Sequence, residues 1–322
     1  MTHITTFGEL LVDLIGESGD SLSEVSEFRK RPGGAPANVA AGTASLGLDV
    51  QLVASVGDDS FGDFLVDEVA KNGVGTVHIS RSESHTTLAF AALDEDARPD
   101  FMFYRENAAD TEIEFEQLEV EDVTDTEIFH FGSLSLTTEP VRSTLFSLLE
   151  HLEEDVKVTC DPNYRGDLWT GSLESDFEDA LLYVDHLKVS EEELEILSEG
   201  EDRREQALNL MESYGIESVA VTRGPEGSEE HTISTVYSAG PVTSDVVDTT
   251  GAGDAFLSGY LTGLAEDGLE GEEHLRFANA VASCAIEEYG AMTALPSRDE
   301  VERRLEKSSS EKRSGPAGAE NF

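Results

Sequence analysis

The stretch VVDTTGAGDAF, residues 246 to 256, sets Gly251 and Gly253 on either side of Ala252 and places Asp254 directly after them. An apolar run precedes it and DAFLSGYLTGLAE follows with helical spacing, so the glycines fall at a helix N-terminus. There the amides of Gly251, Ala252 and Gly253 have no intrahelical partner, and the helix dipole adds a positive end; together they predict an anion hole. The plainer reading of this motif alone is a glycine turn with an acid in the first helical turn. A second cluster, RPGGAPANVAAGTASLG over residues 31 to 47, has Gly33 and Gly34 where backbone can approach a ligand closely. Asn38, near the start of the next helix, offers a donor and an acceptor together, which suits a polyol hydroxyl. Small residues packing that helix tightly onto a sheet would leave the same pattern.

Other nucleotide-binding signatures fit badly. A dinucleotide GxGxxG belongs to a first βα turn and needs a third glycine where this chain has Phe256. A Walker A loop, GxxxxGK[ST], does not occur, and amides that hold phosphate without its lysine suit a chain with six lysines.

The elements that must position these residues alternate along the chain. Strand-like runs ITTFGELLVDLI, VQLVASVG, EIFHFGSL, VKVTCDP, HLKVS and ESVAVTRG are interleaved with helical patterns such as SFGDFLVDEVAKNG, PVRSTLFSLLEHL and SLESDFEDALLYV. That order predicts an α/β fold, a doubly wound, mostly parallel sheet with helices on both faces. Two stretches break the alternation, residues 16 to about 34 and about 86 to 108. The second contains TTLAFAALDEDARPDFMFYR, which reads as a hairpin turning at DEDARPD, and the pair predict a small β-sheet lid over the carboxyl edge of the main sheet. One domain over residues 1–306 is expected, followed by a polar tail, 307–322, expected to be disordered.

Charge narrows the setting. The chain of 322 residues carries 68 Asp and Glu against 21 Lys and Arg, a formal charge of −47, which repels itself in dilute buffer. At 1 M salt the Debye length falls to about 3 Å, so the composition predicts a halophilic protein working in a salt-rich cytoplasm. Nucleic acid and anionic membranes, which need basic patches, are excluded as partners. No basic leader or apolar run of membrane-spanning length is seen, and Cys160 and Cys284 are too few for a disulfide framework.

Taken together, GGAPANVAAGTASLG and DTTGAGDAF resemble the two signatures of the ribokinase, or PfkB, family of carbohydrate kinases, in the right order and separation. The resemblance covers nearly the whole chain and implies a ribokinase-like α/β domain with a β lid. The segments FMFYRENAAD, HFGSLSL, DPNYRGDLW and VTRGPEGS look most like those of fructokinases, and 2-keto-3-deoxygluconate kinases share several of them. The implied activity is ATP-dependent transfer of the γ-phosphoryl group to a sugar hydroxyl, with Mg²⁺ and a K⁺ requirement to be tested. Fructose is the first candidate sugar; 2-keto-3-deoxygluconate and ribose are alternatives. A non-catalytic sugar- or nucleotide-binding regulator on the same fold is the non-enzyme alternative.

The family's roles carry over as follows. Asp254 matches the catalytic base, and Gly251, Ala252 and Gly253 the anion hole. Asp13, in LLVDLI, matches an aspartate that binds sugar hydroxyls, with Gly33, Gly34 and Asn38 around it, and Arg105 matches an arginine reaching substrate from the lid. Asp161, Asn163 and Arg165 resemble residues near the phosphates and the reacting hydroxyl. Glu193 falls at the glutamate of an Asn-x-x-Glu element that organises Mg²⁺ and phosphate, with Ser190 in place of the asparagine; a solvated helix with a serine N-cap would look alike. Thr222, Gly224, Gly227 and Asn279 match the ATP-binding edge, and Asp248 and Thr250 a monovalent-cation site. A homodimer through the lid is also implied.

Overall fold

The computed structural model describes residues 2–16, 21–93, 99–164, 173–242, 244–266 and 268–314. The strands, in chain order, are β1 (Thr2–Phe7), β2 (Leu11–Gly16), β3 (Phe28–Gly33), β4 (Val50–Gly57), β5 (Ile79–Ser82), β6 (Leu88–Leu93) and β7 (Pro99–Tyr104). They continue with β8 (Thr126–Gly132), β9 (Lys157–Asp161), β10 (His186–Ser190), β11 (Ser218–Thr222), β12 (Ser228–Thr232) and β13 (Val236–Ala239). The helices are α1 (Ala35–Ser45), α2 (Ser60–Lys71), α3 (Val120–Thr124), α4 (Val141–Leu149), α5 (Leu173–Leu181), α6 (Glu191–Leu197), α7 (Arg203–Tyr214), α8 (Ala252–Ala265), α9 (Gly271–Ala285) and α10 (Arg298–Ser314).

Among the described residues, nine strands form the main sheet in the order β5, β4, β1, β8, β9, β10, β11, β12, β13. The first seven run parallel, and β12 and β13 close one edge as antiparallel additions. Alternation along the strands feeds two cores. Phe7, Val53, Phe129 and Phe131 pack with α4, α5, α6 and α7 on one face, through residues such as Leu145, Leu194 and Leu210. Ile4, Leu52, Ala54 and Ile128 meet α1, α2, α8 and α9 on the other, through Val39, Leu65, Phe256 and Tyr260. Each such fully buried side chain contributes about 1.5–3 kcal/mol relative to exposure.

The run ITTFGELLVDLI is two strands in two sheets, not one. β1 ends at Phe7, and Gly8, at φ 148°, turns the chain out to β2, which pairs with β3 and β6 in the small sheet β3, β2, β6, β7. A Cβ on Gly8 would lie 2.7 Å from Pro36 Cγ, so the crossing requires glycine. The small sheet therefore begins at Leu11, five residues before the boundary expected for a lid. β6 and β7 form the expected hairpin, with Leu93 opposite Pro99, and the turn between them, 94–98, lies outside the described residues.

The segment expected to be a disordered tail is helical as far as Ser314. Glu302, Glu306, Lys307 and Lys312 are good helix formers, and the first breakers after α10 are Gly315 and Pro316. Residues 315–322 lie outside the described set. Among the described residues no helix is long and apolar enough to cross a membrane.

Candidate active site

Two helices bring the glycine clusters together. Gly42 of α1 faces Ser258 of α8 so closely that a Cβ there would lie 2.1 Å from Ser258 Oγ. One turn earlier on each helix stand Asn38 and Asp254, and Asn38 Nδ2 donates to Asp254 Oδ2 at 2.8 Å. The small residues of the first cluster thus pack tightly and, by doing so, set a polar contact between two side chains 216 positions apart.

At the start of α8, Gly251 adopts φ 75°, and a Cβ there would lie 2.5 Å from Ala291 Cβ. The first intrahelical bond runs from Ala255 N–H to Gly251 O (2.8 Å), which places Gly251 and Gly253 ahead of the ladder. Ala252 N–H turns back to Thr249 O at 3.2 Å, so the expected three-amide hole reduces to the amides of Gly251 and Gly253.

Around Asp254 lies a cavity of about 250 Å³, bounded by Glu9, Asp13, Gly34, Asn38 and, from the small sheet, Phe103. Asp13 is buried on β2, and a Cβ on Gly33 would sit 2.0 Å from its Oδ2, so Gly33 makes room for that carboxylate. Gly34, at φ 104°, could not carry a side chain either: its Cβ would meet Glu9 O at 2.3 Å. Glu9 Oε1 accepts Ala35 N–H at 3.0 Å, bracing the start of α1. Glu9 Oε2 and Asn38 Oδ1 are buried without a hydrogen-bond partner among the described residues. Two buried acceptors beside one cavity call for a ligand rich in hydroxyl donors. Burial pushes the Glu9 carboxyl up to about 7, against the lowering effect of its backbone hydrogen bonds and of Arg105.

A second cavity, of about 600 Å³, runs along the ends of β10 and β11. Ser190, Glu193, Thr222, Gly224, Gly227 and Asn279, expected along an ATP-binding edge, line it together. Their polar groups nevertheless hold the protein's own backbone. Ser190 and Glu193 form a capping box on α6, with Ser190 N–H donating to Glu193 Oε2 (2.7 Å) and Glu193 N–H to Ser190 Oγ (3.2 Å). Glu193 Oε1 accepts Tyr164 N–H at 2.7 Å. Asn279 Nδ2 donates to Ala239 O and Gly240 O, 3.2 Å each, and Thr222 Oγ1 reaches Val189 O at 3.4 Å. Gly227, at φ 93°, would drive a Cβ to 2.2 Å from Ala239 O.

The two cavities share four lining residues: Asn163, Lys188, Ala252 and Gly253. Asp161 organises this junction. Its Oδ1 accepts Asn163 N–H (3.0 Å), holding Asn163 at φ 40°, and its Oδ2 accepts Lys188 Nζ (2.8 Å). Burial opposes the Lys188 charge, but Asp161, Glu193 and Asp254 outweigh it and raise the ammonium above its ordinary value. Sequence reasoning missed Lys188, Glu9 and Phe103. A lysine inside the apolar strand HLKVS, in a chain with six of them, was the available signal for the first. A Gly-Glu pair interrupting an apolar run was the signal for the second.

Two expected positions, Arg105 and Asp248, hold protein groups. Arg105 lines neither cavity: its Nε donates to Asp110 Oδ2 (2.6 Å), Nη1 to Thr137 Oγ1 (2.7 Å) and Nη2 to Leu134 O (3.2 Å). Asp248 ties two loops, accepting Thr250 N–H and Gly290 N–H at 2.9 Å each, and Thr250 lines the smaller cavity. Arg165 lies outside the described residues.

Comparisons with known proteins find relatives over most of the chain. The sequence profile described as "pfkB family carbohydrate kinase" matches residues 1–298. "Probable fructokinase-6, chloroplastic" of Arabidopsis thaliana is 37% identical over 315 residues, 94% of this chain and 82% of that protein. "Fructokinase-2" of Oryza sativa subsp. japonica is 36% identical over 306 residues, 91% of this chain and 90% of that protein. Among solved structures, a fructokinase with bound ATP from Xylella fastidiosa superposes with TM-score 0.86 at 31% identity, covering 96% of this chain and all of that one. A putative ribokinase II from E. coli, at TM-score 0.87 and 24% identity over 95% of this chain and 100% of that one, shares the fold.

Proposed function

The chain belongs to the pfkB family of carbohydrate kinases, and from that premise we propose that it transfers the γ-phosphoryl group of ATP to fructose. The observation that carries this reading is the junction: a hydroxyl-binding cavity and a longer groove meet at the N-terminus of α8, with Asp254 on the cavity side. Asp254, oriented by Asn38 Nδ2 at 2.8 Å, takes the proton from the attacking hydroxyl. The amides of Gly251 and Gly253 face the transferring group and stabilise charge as it moves. Asp13 and Asn38 orient the sugar, and burial at the cavity excludes water that would otherwise compete as acceptor.

Mg²⁺, when bound with the nucleotide, neutralises phosphate charge. Both Glu193 oxygens accept backbone amides, so the residues present fit a Mg²⁺ that would be held mainly by the nucleotide's phosphates, with Glu193 as the carboxylate that would complement its charge. Asp248 and Thr250 remain the proposed monovalent-cation residues; replacing K⁺ by Na⁺ at constant ionic strength, with unchanged turnover, would remove that assignment.

Glu9, Asp13 and Asp254 place three carboxyl groups around the sugar cavity, while the Arg105 guanidinium is engaged elsewhere. That favours a neutral sugar over the carboxylate of 2-keto-3-deoxygluconate. An ADP-release screen over fructose, ribose, glucose, 2-keto-3-deoxygluconate and nucleosides in molar KCl tests the assignment. Fructose should give the highest kcat/KM. A preference for the sugar acid would move the substrate, and no coupled ADP release with any sugar would favour a binding regulator.

A dimer through the lid is part of the same proposal. The lid exposes Phe28, Met102 and Tyr104, and Phe90 stacks edge-on against both Phe28 and Tyr104 at 5.3 Å. Sedimentation of the protein and of Tyr104→Lys checks it; equal mass for both, at the monomer value, refutes it.

A further inference from the structure

We propose that Lys188 is a catalytic residue, the cation that receives the phosphoryl group where the nucleotide groove opens into the sugar cavity. The inference rests on the kinase reading above. Among the described residues that line both cavities, Lys188 is the cationic one. It rises from β10 directly under the first turn of α8: a Cβ on Gly253 would lie 3.1 Å from its Nζ. The side chain is 8% exposed, and its one described hydrogen bond goes to Asp161 Oδ2 at 2.8 Å. An ammonium has three donors, so two N–H bonds remain beside the Gly253 amide.

A purely structural role explains this placement poorly. Burying an ion pair costs several kcal/mol per ion, and an apolar pair in the same space would serve packing as well or better. Three carboxylates, those of Asp161, Glu193 and Asp254, raise the Lys188 ammonium above its ordinary value. Arg223 lines only the larger cavity, so without Lys188 the junction itself would meet an incoming polyphosphate with those carboxylates and backbone amides but no cationic side chain among the described lining residues. With it, the junction holds a compact, permanently charged donor next to two amides, which is the recurrent chemistry of phosphate recognition. Asp161 acts as the positioning residue. It fixes Nζ with one oxygen and holds Asn163, the fourth wall of the junction, with the other.

The step balances without a proton passing through Lys188. The bond from the γ-phosphorus to its bridging oxygen breaks, and its electron pair leaves on ADP. The sugar oxygen forms the new bond to phosphorus, and its proton goes to Asp254. Lys188 stays protonated throughout and stabilises the oxygens of the group in flight, most strongly when charge on them is greatest.

The test compares wild type, Lys188→Met and Lys188→Arg by calorimetric titration with AMP and with the non-hydrolysable ATP analogue AMP-PNP, alongside steady-state kinetics. Molar KCl is used throughout, because a buried contact is screened less than a surface one. Lys188→Met should bind AMP as wild type does, bind AMP-PNP about 10-fold or more weakly, and lose about 10²-fold in kcat. Lys188→Arg should recover AMP-PNP affinity but only part of kcat, since its fork is displaced from the point charge it replaces. Removing Lys188 leaves Asp161 buried without its cation, so the double variant Lys188→Met/Asp161→Asn guards against misfolding and should show the same selective loss for AMP-PNP. Equal affinity for AMP-PNP in wild type and the folded variants, or equal weakening of AMP and AMP-PNP, overturns the assignment while leaving the kinase reading intact. Wild-type protein that fails to bind AMP-PNP overturns both.

Discussion

The two cavities that meet at Lys188 are built from opposite materials. Around the smaller one, buried side chains line the space itself: Asp254 and Asp13, with Glu9 Oε2 and Asn38 Oδ1, which lack a hydrogen-bond partner among the described residues. Along the larger one, the side chains that looked functional are spent on the protein's own backbone. Asn279 holds Ala239 and Gly240, Ser190 and Glu193 cap α6, and Glu193 also holds Tyr164. Under the proposed function, the contrast means that the sugar would be read by side chains and the nucleotide by the shape of loops those side chains keep in place. Substitutions on one side should change chemistry and specificity; on the other, they should change nucleotide affinity and stability.

The largest effect is expected at Asp254. Asp254→Asn keeps a partner for Asn38 and nearly the same volume, but it cannot take the hydroxyl proton. Turnover should fall by about 10²-fold or more with KM for sugar and ATP little changed. Near-normal kcat would sink the base assignment and, with it, the idea that the sugar side holds the chemistry.

A sharper division comes from two glycines. Gly33→Ala forces a Cβ to within 2.0 Å of Asp13 Oδ2, and Gly227→Ala forces one to 2.2 Å from Ala239 O. The first should raise KM for the sugar about 10-fold and leave KM for ATP unchanged, because it displaces a carboxylate that lines the smaller cavity and not the larger one. The second, also strained by φ 93°, should raise KM for ATP and lower stability by about 1–3 kcal/mol. Both KM values moving together in both variants would show that the cavities are not independently built.

This division also explains what could be read in advance. GAGD and GGAPAN were legible because close backbone approach admits only glycine, and that requirement is written in residue type. The parallel sheet was legible from the alternation of short apolar runs with amphipathic helices. Glu9 was not, since ITTFGELLVDLI looks like one strand until Gly8 turns it from the main sheet to the lid. Lys188 was hidden for a similar reason: in a strand covered on both faces, the sequence does not say which face meets a cavity. Arg105 failed in the other direction. Its type predicts an anion, but Asp110, five residues on, captures it locally, with Thr137 and Leu134 completing its hydrogen bonds.

The last test reads the sugar side through stability rather than turnover. The Glu9 carboxyl ionises near 7 in the folded protein against an ordinary value of 4.5, burial being the main cause. The folded state therefore binds this proton more tightly than the unfolded chain does. Its contribution is most favourable at pH below 4.5 and declines as pH rises from 4.5 to about 7, after which it is constant. Within that window the loss amounts to about 1.4 kcal/mol per pH unit. Glu9→Gln keeps the acceptor for Ala35 N–H and cannot ionise, so subtracting its denaturation midpoints from those of wild type removes the titration of the other acidic groups. The difference should slope downward for wild type between those limits and flatten above them. A flat difference across the whole range would mean that Glu9 Oε2 is solvated or paired in solution, and the sugar cavity would then be as well satisfied internally as the nucleotide groove.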